Sequence, residues 1–403
     1  GLTVLSHQDT TLPKINIALS FKGKSFYDPI DKQGLCNMTM TLLSEGTKKY
    51  SAADFASELE SKGIEFQAYP GGISMSLLKQ HFSTGLDVLR EVLLNATFVA
   101  EEIEKIRAQM IADVKNFWDE PNQFSNQLIR EQLYQGHPYS KNSIGSIESL
   151  VAITREDIVT FYKKYINPYE ATIAITGDFN PDRLEEILED SLTGWNQHTI
   201  ESIVFPPLDE TKKTELLYPI NRDQIVLCMA ALSVNRKHQD YDKLLLFDQI
   251  FGGGVLGSMA SKLFQLREAT GLFYTIKGSL VSQATEQPGM VLIKTIVSLD
   301  RLNEAEKAIL QTIGTVIDSI SETELEDAKL ALVNSFVNNF ESGMQTAQAF
   351  LFLNKYHLPA NYFDTRSETI NKITLDEVKE AARRILVRDR LLTLKVGRTK
   401  TQQ

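Results

Sequence analysis

This chain of 403 residues has little with which to hold a metal or a disulfide. Its two cysteines, Cys36 and Cys228, stand far apart in apolar stretches and outside any Cys-x-x-Cys spacing, which argues against a disulfide framework or a thiolate cluster. No two of the six histidines (His7, His81, His137, His198, His238 and His357) lie within five positions of each other, so no helical His-x-x-x-His pair exists. Each lone histidine reads as a surface or satisfied structural residue. No uninterrupted apolar run reaches membrane-spanning length. Basic residues are outnumbered, 42 Lys and Arg against 52 Asp and Glu for a formal charge of −10, which argues against nucleic acid and favours basic peptides on encounter. A Gly-rich stretch at Gly252, Gly253 and Gly254 fails as a phosphate loop, because Gly257 is followed by Ser258 where a lysine is required.

What is present points to two lobes. At this length and with 42% hydrophobic residues, a single core is improbable and two domains are expected. The chain also repeats itself. Thr154 opens a helix that leads to a strand closed by Gly177, and Thr374 opens one that leads to a strand closed by Gly397, both at an offset of 220 residues. A looser pair, Glu102–Ile106 and Glu324–Ala328, opens a long helix in each half. Pro206-Pro207 and the charged run Asp209 to Lys213 read as an exposed linker. The expected division is 1–195, a linker over 196–215, and 216–403. Alternating runs such as Lys14 to Lys22 and Pro288 to Ser298 read as strands among long helices, so each half is predicted to be an α+β layer with helices on a mostly antiparallel sheet. Leu2 to Leu5 already reads as the first strand behind a Gly1 start, from which removal of a preceding segment is expected.

Two constellations carry the chemistry. The stretch Gly34-Leu35-Cys36-Asn37-Met38-Thr39-Met40-Thr41 reads as a helix followed by Gly46-Thr47, with Asn37 and Thr41 one turn apart on one face. In the second half the glycine run leads to a helix containing Arg267, with Tyr274 seven residues further on. A guanidinium and a phenol are directional donors toward a carbonyl oxygen. Taken by themselves they also read as a helix C-terminal cation and a packed strand aromatic.

Over nearly its whole length the sequence resembles the insulinase, pitrilysin and mitochondrial-processing-peptidase family. The landmarks are Gly34 to Thr47, Ser51 to Gly63, Asp119-Glu120-Pro121, His137-Pro138-Tyr139 to Gly145, and Ala171 to Asp178. The first is the family's zinc helix, Gly-x-x-His-x-x-Glu-His, with Asn37 and Thr41 at the histidine positions and Met40 at the glutamate. Amide and hydroxyl are poor zinc ligands, and a thioether cannot act as a base. Aligning on Pro121 puts Asp113 at the third-ligand position and Ile106 at a further acidic one. The resemblance implies two homologous lobes forming a clamshell half, LuxS/metallohydrolase-like, with no metal on this chain. It implies that Arg267 and Tyr274 orient substrate and stabilise an oxyanion, beside a substrate loop at Gly252, Gly253 and Gly254.

The expected function is a substrate-orienting, non-catalytic subunit of a heterodimeric zinc endopeptidase, whose zinc sits in a homologous partner and whose substrates are extended peptides. The alternatives are a structural or assembly subunit, like the zinc-less core proteins of a respiratory complex, and a self-sufficient hydrolase using Asp113. Self-pairing of the isolated chain stays open. A periplasmic or otherwise exported setting is expected, with cytoplasm as the runner-up.

Overall fold

The computed structural model describes residues 1–195, 197–254 and 257–398. Asn196, the first residue of the expected linker, and the last residues, 399–403, lie outside the described residues. The chain divides into two compact units.

The first unit is built on a five-stranded sheet of β1 (Thr3–Gln8), β2 (Lys14–Ser20), β3 (Glu65–Tyr69), β4 (Gly72–Leu78) and β5 (Thr172–Gly177), in the order β1-β5-β2-β4-β3. Only β1 with β5 is parallel; the other neighbours are antiparallel. The strand-like run Ile64 to Leu78 is therefore a hairpin. Gly71 takes φ +89° at its tip, where a side chain would be strained. Alternation sets the two faces of the sheet. Ile15, Ile17, Leu19, Ile73, Met75, Leu77, Ile173 and Ile175 are all buried on one of them. On the other, Asn16, Ala18, Ser76, Ala174 and Thr176 are small or polar.

The second unit repeats this plan with β6 (Thr214–Pro219), β7 (Gln224–Leu232), β8 (Thr275–Ser282), β9 (Met290–Ser298) and β10 (Leu392–Gly397), in the order β6-β10-β7-β9-β8 with only β6 and β10 parallel. The duplication reaches the caps. Thr154 and Thr374 each accept from the third helical N–H in a reciprocal capping box, and the two helices, Arg155–Tyr165 and Leu375–Ile385, are equally long. Ser51 and Ser261 likewise cap Ala52–Lys62 and Lys262–Thr270, which end on left-handed Gly63 and Gly271.

The units are not the contiguous stretches 1–195 and 216–403. Residues 118–140 belong to the second unit and 338–359 to the first. Helix Pro121–Leu133 lies on β7 and β10, where Phe124 stacks on Trp118 and meets Tyr218 with ring centres 5.2 and 5.3 Å away. Lys294 of β9 donates to Asn126 Oδ1 at 2.9 Å. In the first unit, helix Gly343–Tyr356 lies on β2 and β5. Ala347 packs there against Ala18 and Ala174, and Asn354 donates to Thr172 Oγ1 at 2.8 Å. The physical reason is that a small, partly polar sheet face still needs a cover, and in both units this helix comes from the other half of the sequence.

Candidate functional site

The helix expected to carry zinc ligands runs Leu35–Thr41. Gly34, at φ +94°, starts it and offers no side chain for a cap. The cap comes from upstream: Asp28 accepts the N–H of Gly34 at 3.0 Å and of Cys36 at 2.9 Å. Sequence reasoning missed Asp28, because a carboxylate six residues before a glycine has no spacing signature. Burial pushes its carboxyl up to about 7, against the pull of those two N–H groups and of the Lys141 ammonium.

Asn37 and Thr41 do share a face, and Thr41 Oγ1 donates to the Asn37 carbonyl at 3.0 Å. That hydroxyl is thus turned back onto its own helix. Met40 is 1% exposed, sealed in the core of the first unit. Asp113 is exposed on the helix Ala100–Asp119, and its carboxylate accepts from Gln109 one turn earlier at 3.0 Å. Ile106 is buried on that helix. A zinc ion does not fit this set: its helix pair consists of an amide and a hydroxyl bound to a carbonyl, and the position of the base is an apolar thioether. Among the described residues, no group of three or more His, Cys, Asp or Glu is placed to hold a metal.

In the second unit, Gly252 ends the helix Tyr241–Phe251. A side chain there would place its Cβ 1.9 Å from the Gly278 carbonyl of β8, so this glycine is required by close approach of two backbones. Gly253 and Gly254 take φ +93° and +53°. Val255 and Leu256, which follow, lie outside the described residues. Asp248, buried on the helix Tyr241–Phe251, accepts from the Ser279 hydroxyl and the Leu280 N–H, and burial pushes its carboxyl up to about 7. Thus Gly252 has a packing role of its own, and Gly253 and Gly254 a conformational one.

Arg267 stands in the last turn of helix Lys262–Thr270 and Tyr274 just before β8. They meet. Arg267 Nε donates to the Tyr274 carbonyl at 3.1 Å, and Nη1 pairs with Glu268 at 3.0 Å. The Tyr274 N–H is used by the Ile296 carbonyl of β9, which fixes the residue's backbone while its side chain stands 73% exposed. Arg267 is a helix C-terminal cation, as the plainer expectation has it, and its Nε also reaches out of the helix to the Tyr274 carbonyl; the Tyr274 phenol is exposed and not packed.

The sequence matches two family descriptions in succession, "Insulinase (Peptidase family M16)" over residues 3–146 and "Peptidase M16 inactive domain" over 152–332. The chain belongs to the insulinase (M16) peptidase family, as an inactive member. Among its M16 relatives is the "non-peptidase homolog YmxG" of Helicobacter pylori, 22% identical over 94% of this chain and 87% of that protein. Another is the beta subunit of the human mitochondrial-processing peptidase, 22% identical over 94% and 79% respectively. A peptidase M16 inactive domain from Pseudomonas fluorescens superposes with a TM-score of 0.89 at 22% identity, over 99% of this chain and 96% of that one. The M16 fold therefore persists here around a helix from which the zinc ligands and the base are missing.

Proposed function

We propose that this chain is the substrate-orienting subunit of a two-chain zinc endopeptidase, lending Arg267 and Tyr274 to a site whose metal belongs to a homologous partner. The observation that carries the reading is selective loss. Asn37, Met40 and Thr41 have given up zinc chemistry, whereas Arg267 and Tyr274 keep their spacing and are held together with an exposed phenol. Tyr274 also sits just before β8, an edge strand of its sheet, where an extended peptide can add by backbone hydrogen bonds. Such binding makes little sequence demand, which suits a degrading or processing activity. One M16 relative is itself named as a subunit of a processing peptidase.

Arg267's hydrogen bond to the main chain and its pairing with Glu268 favour a second reading, an assembly subunit in which the arginine only pins a helix to a strand. The two readings separate on activity. Purified alone with added zinc, the chain leaves an unstructured peptide uncut; with a homologue carrying an intact His-x-x-Glu-His motif, chelator-sensitive cleavage appears. Steady cleavage by the pure chain, or a complex that forms without gaining turnover, contradicts the proposal.

A further inference from the structure

The first unit contains a cavity of about 510 Å³, set where β1, β2 and β5 end against the start of helix Gly343–Tyr356. The size falls in the range of small-ligand pockets, roughly 300–1,000 Å³. Its floor is polar. Asn16 and Thr176 are direct partners in the β2–β5 register, and Thr176 Oγ1 donates to the Gly343 carbonyl at 2.7 Å. Asn16 is 6% exposed, and its Oδ1 takes the Ser76 hydroxyl at 2.8 Å. Its Nδ2 faces the first residue of the helix so closely that a Cβ on Gly343 would come within 2.3 Å of it. That nitrogen has no acceptor among the described residues. It opens onto the cavity, where its N–H is available to a ligand oxygen.

The helix adds to this donor. Ser342 takes the Gln345 N–H on its side chain and the Thr346 N–H on its carbonyl, leaving the N–H groups of Gly343 and Met344, for which a helix has no internal acceptor. The positive end of a 14-residue helix and the donor Nδ2 therefore meet at one point. Opposite charges line the same cavity: Lys14 on one hand, Asp9 and Glu341 on the other, none of them in an ion pair among the described residues. Leu12, 65% exposed, and Phe340, 43% exposed, supply an apolar rim.

We infer that this cavity binds a short unblocked peptide, a di- or tripeptide. Its terminal carboxylate is taken by Asn16 Nδ2 and the start of helix Gly343–Tyr356, its ammonium by Asp9 and Glu341, and an apolar side chain by Leu12 and Phe340. A simple anion would use the donors but not the acids. A single amino acid would satisfy both ends and leave much of the volume empty.

The test is calorimetric titration of the full chain with Ala-Leu, its C-terminal amide, N-acetyl-Ala-Leu, leucine and acetate. Saturable one-to-one binding of Ala-Leu is expected, with each blocked form weaker by about tenfold or more, the loss of one charge-assisted contact. Leucine binds more weakly than Ala-Leu, and acetate more weakly still. Asn16→Asp, which replaces the donor by an acceptor of the same shape, lowers Ala-Leu affinity by at least about tenfold. Should that variant not fold, Thr346→Glu on the half-exposed first turn places a negative charge at the same mouth and gives the same loss. Absence of saturable Ala-Leu binding overturns the inference. So does equal affinity for acetate or for either blocked form, or full affinity in a folded variant.

Discussion

Arg267 and Tyr274 are joined through the main chain: the guanidinium Nε donates to the Tyr274 carbonyl at 3.1 Å, and the phenol is left 73% exposed. The arginine holds the tyrosine in place, and the tyrosine side chain is free of that duty.

Tyr274→Phe removes one exposed hydroxyl and leaves the arginine's acceptor intact. Its melting temperature should match that of the parent chain, while turnover of a complex with a zinc-bearing partner falls. Loss of stability with unchanged turnover would assign Tyr274 to packing.

Restoring the family glutamate should damage the fold before it helps chemistry. Met40 is 1% exposed, so Met40→Glu buries a carboxylate with no partner, at about 3–5 kcal/mol if it stays charged. Denaturant titration should register most of that loss, even when Asn37→His and Thr41→His are added with zinc.

Gly252→Ala should be among the costliest exchanges of a glycine in the chain. Its Cβ would lie 1.9 Å from the Gly278 carbonyl, and overpacking of that kind costs typically about 1–3 kcal/mol or more. A lowered denaturation midpoint with an unchanged m-value would place the effect in the native state.

Asp248 predicts a pH dependence whose sign follows from its environment. Burial raises its carboxyl to about 7, while in the unfolded chain it titrates near 4, so between those values the folded chain holds one more proton. The stability tied to that proton is fully present below about 4 and is lost as pH rises through about 7, at up to about 1.4 kcal/mol per pH unit. Asp248→Asn keeps the shape and removes the proton. The difference in unfolding free energy between parent and variant should therefore change in that direction from pH 5 to 8; a flat difference would contradict it.

Much of the fold could be read from local signals. Thr154 and Thr374 announced matching helices, Gly177 and Gly397 matching strand ends, and the sheets have the same strand order. The exchange of helices Pro121–Leu133 and Gly343–Tyr356 could not be read, because amphipathic periodicity states that a helix has a face to bury and not which sheet will receive it. The same limit applies at the sites. The missing ligands at Asn37 and Thr41 were visible in residue types, but the Arg267 bond to a main-chain oxygen and the Asn16 amide facing Gly343 depend on contacts that leave no spacing in the sequence.

The exchange has its own consequence. A fragment of residues 1–205 lacks the helix that covers Ala18 and Ala174, both fully buried in the intact chain. Expressed alone it should be insoluble or unfolded by circular dichroism. Recovery on co-expression with the remainder would locate the missing cover.

The central claim is that this inactive M16 chain works on peptides through a partner, with Arg267 as a donor to the substrate. The most direct measurement is peptide turnover by the reconstituted two-chain enzyme carrying Arg267→Ala, with complex formation followed by sedimentation. The complex should form normally while kcat/KM falls by on the order of 10²-fold, the usual effect of losing one oxyanion donor. Unchanged turnover in an intact complex would contradict the account and leave this chain as a scaffold.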